Sequence, residues 1–492
     1  MKVAKKSYKY YFFISLFLSF LSITSLHIAQ ADNLVSNVDD KIRVVILHYG
    51  IERAGGFWFD QTIFIRDLMN KMDKDVAFVV LVCDDVNGDR VKEILQPYSR
   101  EKLPDGTTRV KYLTVDAKTS RFYPWARDPY MILTDNQGNL IFLDAGYNEP
   151  PFPITNFHDV FAHAKSQAGS IHRGGGNIRT TNEEMIIGMD TLLGLKIFPR
   201  WVKYENVETL YSLAKDADFE NLPAFKARFD AYCNFIHTVL APDKKMVIPG
   251  KEEFFARLER QNFPFTRKTV WDTGAQPAYH TDVYLGLGHI DEAGKRIIFI
   301  ADSKLGAQVV EKMSPAERRQ VEQNLPALLE AERLTAAGVP LTKEQISERF
   351  QWEKHKLLDP CLEKSHKIAE KLDKAANHLE ELGYHVIRIP YLPNGLDNSG
   401  RNDDVMGIGV NYSNVLTEVY GGIRKVYMPA FGFKQLDEAA AQAYRDAGFQ
   451  TIIIKGLIVP GFTTGDANAG LDCLTSEIRF PVRWANKYYE KQ

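Results

Sequence analysis

Residues 363–390, EKSHKIAEKLDKAANHLEELGYHVIRIP, indicate the fold class of this chain. Residues 363–382 carry apolar side chains at helical spacing, which predicts an amphipathic helix. Gly383 suits the position just after a helix C-terminus, and the strand-like YHVIRIP follows at once. Residues 435–456 repeat this plan, with the helical DEAAAQAYRDAG followed by FQTIIIKG. A helix–strand unit that recurs in this way indicates an α/β protein.

Short apolar runs that are mostly rich in Val, Ile, Tyr and Phe recur along the chain and predict β-strands. They are RVVILHY (43–49), VAFVVLV (76–82), RVKYLTV (109–115), NLIFLDA (139–145), EMIIGMD (184–190), KMVIP (245–249), RIIFIAD (296–302), YHVIRIP (384–390), KVYMPAF (425–431) and TIIIKG (451–456). Helical spacing also marks residues 60–72. We therefore expect strands and helices to alternate over most of the chain.

Two stretches interrupt this alternation. Residues 200–243 and 303–360 look mainly helical, and the second contains Ser314 followed by Pro315, a pair typical of a helix start. Either stretch has the length of a small separate domain. Because candidate site residues occur on both sides of each, we interpret both as insertions in a single catalytic domain that spans residues 32–492.

The first 31 residues predict an export signal, which is set aside from the fold. Four lysines precede an apolar run at residues 11–24, and Ala29-Gln30-Ala31 fits the small-x-small cleavage pattern. The run is short for a membrane anchor and no stop-transfer pattern follows it. We therefore expect a secreted or periplasmic protein that is not embedded in a membrane after cleavage. Loss of the four lysines would change the formal charge from -2 to about -6.

Composition narrows the class further. The chain is 45% hydrophobic and 25% charged, as a globular protein should be, and it has no basic excess that would indicate nucleic-acid binding. Its four cysteines are too few for a fold built on disulfides. Cys83 ends an apolar run and is predicted to be a core thiol, whereas the pairing of Cys233 and Cys361 stays open. Cys473 differs, because it lies in the polar loop GFTTGDANAGLDCLT (461–475), where packing gives little reason for a thiol.

Two loops carry candidate binding groups. In YPWARDPY (123–130), Pro129 keeps Asp128 out of a helical conformation, and a fixed carboxylate beside aromatic rings suits a planar cation. A structural Arg127–Asp128 ion pair would explain the same residues. In HRGGGN (172–177), the glycines allow close backbone approach or positive φ, although an ordinary tight turn would also use them. This loop lacks the Gly-Lys-Ser/Thr ending of a phosphate-binding loop.

Two further loops carry candidate catalytic groups. In YHTD (279–282), an extended backbone would turn His280 and Asp282 to the same side, and would place a proton carrier beside an anion. A surface pair is the alternative, and no third ligand at the usual spacing supports a metal site. In GDANAGLDCLT (465–475), a loop would give Cys473 access, and His280 could compensate the charge of its thiolate. The alternative is one buried free cysteine among four.

Taken in order, Trp-x-Arg-Asp, Gly-Gly-x-Asn, His-x-Asp and a late Cys-x-Thr resemble the guanidino-group-modifying enzymes, the pentein superfamily. This superfamily includes agmatine deiminases, arginine deiminases, peptidylarginine deiminases and amidinotransferases. The resemblance runs from about residue 43 to residue 485, and Trp125–Asp128 looks most like the agmatine deiminase version. It implies a five-bladed α/β propeller of ββαβ units, with the two helical stretches as additions.

The resemblance also implies roles for individual residues. Cys473 would attack the guanidinium carbon, His280 would donate and then accept a proton, and the two carboxylates would hold the guanidinium N–H groups. The catalytic candidates are therefore Cys473, His280, Asp282 and Asp128. The substrate-binding candidates are Arg127, Trp125, Asn177 and Asn414, the last because peptidylarginine deiminases carry an asparagine near the site. We expect a small-molecule or peptide guanidino substrate, with no cofactor and no metal.

The sequence departs from the family pattern at two positions. Gly174 stands where free-arginine and agmatine deiminases usually carry a glutamate, which peptidylarginine deiminases lack. Asp472 stands before the nucleophile, where a histidine is common, and an anion there should raise the pKa of the thiol.

Three hypotheses follow from the motifs and from these departures. The first is an exported cysteine deiminase that acts on peptidyl-arginine or on an agmatine-like substrate. The others are an amidinotransferase and a catalytically inactive guanidinium-binding protein on the same scaffold. A papain-like protease is excluded, because its cysteine would precede its histidine along the chain.

Overall fold

The computed structural model describes residues 33–49, 62–116, 125–135, 137–144, 154–167, 175–193, 222–261, 270, 272–278, 280–322, 358–393, 409–455 and 470–488. The predicted export signal lies outside these residues, as do residues 200–221 and 323–357 of the two predicted insertions. The described part is a mixed α/β fold.

The strands confirm the strand predictions, since each of the ten predicted runs overlaps one of them. They are β1 (Asn33–Leu34), β2 (Val44–His48), β3 (Ala77–Cys83), β4 (Val110–Val115), β5 (Tyr130–Thr134), β6 (Leu140–Asp144), β7 (Lys165–Gln167), β8 (Ile178–Thr180), β9 (Glu184–Ile187), β10 (Lys245–Val247), β11 (Leu285–Ile290), β12 (Arg296–Asp302), β13 (His385–Pro393), β14 (Gly409–Asn411), β15 (Leu416–Tyr420), β16 (Ile423–Pro429), β17 (Gln450–Ile454) and β18 (Thr475–Ile478).

The helices lie between these strands, as the alternation predicts. They are α1 (Thr62–Lys71), α2 (Val86–Ile94), α3 (Gln96–Ser99), α4 (Met189–Leu193), α5 (Leu222–Leu240), α6 (Lys251–Gln261), α7 (Thr281–Tyr284), α8 (Ser303–Glu311), α9 (Leu358–Glu381) and α10 (Lys434–Asp446), with 3-10 helices at Ile154–Asp159 and Asn486–Tyr488.

Two helix ends confirm their sequence signals. Gly383 has a φ of 93°, and Tyr384 N donates to Leu379 O at 3.1 Å, which closes the C-terminus of α9. A further helix occupies residues 315–322. Ser314 N donates to Glu317 Oε2 at 2.8 Å, and Glu317 N donates to Ser314 Oγ at 3.2 Å. This reciprocal pair is a capping box at the predicted helix start.

The strands form five small sheets within the described residues. Their orders are β1-β5-β6-β7 (sheet 1), β10-β9-β8 (sheet 2), β11-β12-β13-β14 (sheet 3), β15-β16-β17 (sheet 4) and β18-β2-β3-β4 (sheet 5). Every sheet contains an antiparallel pair and a third strand that is parallel to one member of that pair. A parallel neighbour requires a crossover connection, which explains why helices recur between these strands.

The helices cover the sheets with their apolar faces. In α9, for example, Ile368, Leu372 and Leu379 are buried against the strands of sheet 3. Burying a leucine or isoleucine side chain stabilises the fold by roughly 1.5–3 kcal/mol. The apolar positions of residues 363–382 thus form the contact with the sheet, which confirms the predicted amphipathic helix.

The N-terminal segment from residue 33 to residue 40 contacts all five sheets. Its first two residues pair with β5 of sheet 1. Its contacts with the other four sheets are Asn37 N to Thr180 O at 2.7 Å, Asp39 Oδ1 to Arg296 Nη1 at 2.8 Å, Asp40 N to Val419 O at 2.9 Å, and Asn37 Nδ2 to Glu477 Oε1 at 3.3 Å. The five sheets therefore all lie within reach of one eight-residue segment.

None of the four cysteines, all of which lie in the described residues, forms a disulfide, so Cys233 and Cys361, whose pairing the sequence leaves open, are not joined to each other. No helix in the described part of the chain is both long and apolar enough to cross a membrane. Among the same residues, no group of three or more His, Cys, Asp or Glu side chains could hold a metal ion.

Candidate active site

Cys473 lies in a turn that leads directly into β18. Its side chain is only 6% exposed and packs in the largest hydrophobic cluster of the described residues. The sequence predicts an accessible loop thiol, and this prediction is wrong for residues 471–474, which are buried. Residues 456–469 of the same loop lie outside the described part of the chain.

Asn414 positions this turn with both ends of its amide. Its Oδ1 accepts hydrogen bonds from Asp472 N at 2.7 Å and from Cys473 N at 3.2 Å. Its Nδ2 donates to Cys473 Sγ at 3.1 Å and to Asp282 O at 3.0 Å. Gly470 allows this approach, because a Cβ there would lie 2.2 Å from Asn414 Oδ1. One side chain thus fixes the thiol and supplies it with a hydrogen-bond donor.

The His280–Asp282 segment is not extended as predicted. His280 has extended backbone angles, but it is the residue that precedes the short helix α7, which contains Asp282. The reason is tertiary, because Asp282 N donates to Gly176 O at 2.9 Å while Val283 N turns back to His280 O. The two side chains still approach each other, with 4.0 Å between His280 Nδ1 and Asp282 Oδ1.

The glycine loop serves close backbone approach. A Cβ on Gly176 would lie 2.6 Å from His280 Nδ1 and 2.7 Å from Asp282 Oδ2. A Cβ on Gly175 would lie 2.0 Å from Arg127 O. Neither glycine has a positive φ. Each is therefore required because no space is left for a side chain, and not because of its backbone conformation. Gly174 lies outside the described residues.

Four candidate catalytic groups converge at this point. The Cys473 thiol donates to Asp282 Oδ2 at 3.3 Å. His280 Nδ1 lies 3.9 Å from Asp128 Oδ1, so the imidazole stands beside two carboxylates. Asp128 in turn accepts a hydrogen bond from the backbone N–H of Gly176. Thiol, imidazole and two carboxylates from distant parts of the chain therefore form one cluster.

Burial sets the protonation of this cluster. It raises the pKa of Asp128 to about 7, against the opposing charge of Arg127. Burial and the charge of Asp472 raise the pKa of Asp282 to about 8. The pKa of the Cys473 thiol is raised well above its ordinary value, first by burial and then by the charges of Asp282, Asp128 and Asp472. All three acids are therefore biased toward their neutral forms until a cation enters the cluster.

Arg127 and Asn177 have partners different from the predicted substrate. Arg127 Nη2 lies 2.8 Å from Asp472 Oδ1 and also pairs with Glu477, while its Nε donates to Asp472 O at 3.2 Å. Asn177 is fully buried, and its Oδ1 accepts from Thr281 N at 3.0 Å, next to His280. Arg127 therefore stabilises the turn that contains Cys473, and Asn177 stabilises the segment that follows His280. Trp125 is half-buried and packs against the same cluster as Cys473.

Two residues of the site are not predicted from the sequence. Arg179, in β8, pairs with Asp472, and Glu477, in β18, pairs with Arg127. Both side chains are buried. Their signal in the sequence is a charged residue inside a short strand flanked by site residues, which is unusual because a buried charge is costly unless it is paired.

A cavity in the described part of the chain lies away from this cluster. It measures about 950 Å³ and is lined by α5, α6 and α9, including Lys251, His378 and Asp230. Lys251 Nζ is 2.8 Å from Asp230 Oδ1, and His378 Nε2 is 2.9 Å from Thr273 O. Because these polar groups already bind other groups of the protein, they are weaker candidates for catalysis than the groups of the Cys473 cluster.

No protein-family model matches the sequence, and no curated protein matches it. Solved structures that it resembles include agmatine deiminases. The C. jejuni agmatine deiminase is 11% identical, with 92% of this chain and 96% of that chain covered and a TM-score of 0.42. The Enterococcus faecalis agmatine deiminase is 11% identical, with 91% and 96% covered and a TM-score of 0.41.

Proposed function

We propose that the protein is a cysteine hydrolase that removes ammonia from a guanidino group, with Cys473 as its nucleophile. The observation that carries the proposal is the convergence of the Cys473 thiol, the His280 imidazole and the carboxylates of Asp128 and Asp282. The thiol lies 3.3 Å from one carboxylate, and the imidazole lies 3.9 and 4.0 Å from the two. These groups are what the displacement of a guanidinium nitrogen requires.

The two carboxylates suit a guanidinium ion for a geometric reason. A guanidinium presents pairs of parallel N–H donors, which match the two oxygens of a carboxylate. Asp128 and Asp282 also supply compensating charge for a cation that leaves water. With the cation held by both, its central carbon would lie above Cys473 Sγ, where positioning alone gives a large gain in rate.

In the first half-reaction, the thiolate of Cys473 forms a bond to the guanidinium carbon and gives a tetrahedral intermediate. One C–N bond then breaks, and the nitrogen leaves as ammonia with a proton from His280. The remaining group is an amidino-thioether on Cys473. In the second half-reaction, His280 takes a proton from water as its oxygen attacks the carbon. The C–S bond breaks and restores the thiolate, and the remaining hydroxyl proton passes to solvent as the neutral ureido product leaves.

The substrate itself supplies the charge that ionises the thiol. In the free enzyme the pKa values of Cys473, Asp282 and Asp128 are all raised, which favours the neutral form of each group. A guanidinium ion between them favours the charged forms of all three groups. Asn414 Nδ2, 3.1 Å from Sγ, then donates a hydrogen bond to the thiolate. Ionisation is thereby coupled to occupation of the site.

The finer features of the proposal follow the sequence motifs. We place this chemistry on a five-bladed α/β propeller, which the five sheets around the N-terminal segment 33–40 support. We also propose that the protein is exported, on the strength of residues 1–31. A peptidyl-arginine substrate is favoured over free arginine or agmatine by Gly174, which stands in place of a further carboxylate.

A substrate panel tests the proposal. The mature chain is incubated with arginine, agmatine and arginyl peptides, and ammonia and ureido product are measured together. We expect one ammonia for each ureido group, a complete loss with Cys473→Ala, and retention with Cys83→Ala, which changes a thiol outside the site. Neither product from any compound would contradict the proposal. Transfer of the amidine to added glycine or lysine in place of hydrolysis would contradict it in favour of an amidinotransferase.

A further inference from the structure

Asp472 immediately precedes the proposed nucleophile, where an anion is electrostatically unfavourable. Its side chain is 1% exposed. Burying an unpaired carboxylate at such a depth is energetically unfavourable, and its charge would also repel the thiolate that catalysis needs. The fold therefore needs a strong reason to place an aspartate here.

Two arginines supply that reason. Arg127 Nη2 lies 2.8 Å from Asp472 Oδ1, and Arg179 Nη1 pairs with Asp472 Oδ2. Arg127 also binds the backbone of the turn. Its side-chain Nε donates to Asp472 O at 3.2 Å, and its backbone N donates to Cys473 O at 3.4 Å. The turn that carries the thiol is thus held by both charge and backbone contacts.

The guanidinium group of Arg127 also binds a second carboxylate. Its Nη2 pairs with Glu477, and Glu477 Oε1 accepts a hydrogen bond from Asn37 Nδ2 at 3.3 Å. Asn37 belongs to the N-terminal segment that contacts all five sheets. Glu477 also pairs with the buried Arg479, whose Nη2 lies 3.6 Å from Glu477 Oε1, so each carboxylate of this buried network is shared by two arginines.

We propose that Asp472 is a positioning residue, which fixes Cys473 by tying its turn to Arg127 and Arg179, and that the two arginines screen the nucleophile from the charge of Asp472. The proposal rests on the function proposed above, since it concerns the same thiol. It accounts for an aspartate at a position where the family usually carries a histidine. The charged and titratable groups around the thiol, among the described residues, are Asp128, Asp282, His280, Asp472, Arg127 and Arg179.

The pH profile of alkylation of Cys473 by the neutral reagent chloroacetamide tests the screening. Asp472→Asn removes the carboxylate that pairs with Arg179, while Arg127 keeps Glu477, so the positive charge near the thiol is less compensated. The alkylation profile should therefore shift to lower pH by about one unit, a roughly tenfold change in thiolate at a given pH. Arg179→Gln leaves the anion less screened, so its profile should shift to higher pH by about the same amount. Asp446→Asn, an exposed change in α10, should leave the profile unchanged.

The double variant Asp472→Asn/Arg179→Gln separates charge from position. Its alkylation profile should return close to that of the parent protein, whereas its kcat on the guanidino substrate should remain at least tenfold lower. Shifts of both single variants in the same direction, or no shift in either, would overturn the proposal. So would a double variant with full kcat.

Alkylation needs no turnover, so the sign of the shifts can be tested even if no guanidino compound is hydrolysed, and that failure would count against the proposed function alone. Thermal melting of each variant shows whether it folds. If Asp472→Asn does not fold, Arg179→Gln alone decides the sign.

Discussion

Binding of a guanidinium ion should release protons from the enzyme, and the number can be worked out from the site. In the free protein the pKa of Asp128 is about 7 and that of Asp282 is about 8, both raised mainly by burial. Both carboxylates are therefore partly protonated at pH 7. If the bound cation ionises them, on the order of one proton leaves for each ligand bound at that pH.

Isothermal titration calorimetry measures this number, because the observed enthalpy varies with the ionisation enthalpy of the buffer in proportion to the protons released. The titration uses Cys473→Ala, which cannot turn substrate over, with agmatine or an arginyl peptide in phosphate and in Tris. Removing Asp282 as Asp282→Asn should lower the release, because Asp128 is then the one carboxylate left to lose a proton to the bound cation. Affinity should rise with pH between about 6 and 9 and then level off, because the release falls toward zero.

A buffer-independent enthalpy at pH 7, or proton uptake, would refute this account of the site. It would mean that both carboxylates are already ionised in the free enzyme. The thiol would then face two anions permanently, and the substrate could not be the group that changes their charge.

Three further predictions concern single side chains. Asn414→Ala removes the donor to Cys473 Sγ and should lower kcat about 10- to 100-fold, since a hydrogen bond to a charged group is worth about 1.5–3 kcal/mol. Gly176→Ala should lower kcat about 100-fold, because its Cβ would displace His280. Lys111→Met should flatten the rise of unfolding free energy between pH 7 and pH 10. Burial lowers the pKa of Lys111 to about 7, so the folded state binds fewer protons than the unfolded state there.

Matched variants serve as controls for these changes. Asn234→Ala, at an exposed position of α5, should leave kcat unchanged. Gly294→Ala introduces backbone strain at a φ of 78° with no atom in the way of its Cβ, so it should cost some stability and no activity. For Lys111, urea unfolding at several pH values gives the difference in slope, whose total should be on the order of a few kcal/mol. Equal activity of Gly176→Ala and Gly294→Ala would contradict the steric argument.

The elements of the fold could be predicted from the sequence because their signals are local. The run RVVILHY is apolar and short, and it forms the fully buried strand β2. The spacing of residues 363–382 and the glycine at 383 predict α9 and its end. The same local signals miss short strands such as β7 and β14, which have three residues each and depend on the neighbouring strand for their hydrogen bonds.

The site could be predicted only in part, because its contacts are distant in sequence. Residue types and motif order single out Cys473 and His280. However, Arg127 and Asp472 lie 345 positions apart, and an arginine in a loop is equally compatible with a ligand or with an internal ion pair. The helical conformation at Asp282 cannot be predicted from the sequence either, because it depends on a hydrogen bond to Gly176 O that no local pattern encodes.

The most direct test of the central claim is the rate at which Cys473 reacts with a cationic and with a neutral reagent of the same shape. Chloroacetamidine carries a planar cation like the proposed substrate, and chloroacetamide does not. After correction for their intrinsic reactivity with free thiols, and with the modified peptide identified by mass spectrometry, Cys473 should prefer the amidine by about 10- to 100-fold. Asp128→Asn should remove most of this preference. Equal rates for the two reagents, or modification of Cys83 before Cys473, would contradict a thiol aimed at a bound guanidinium.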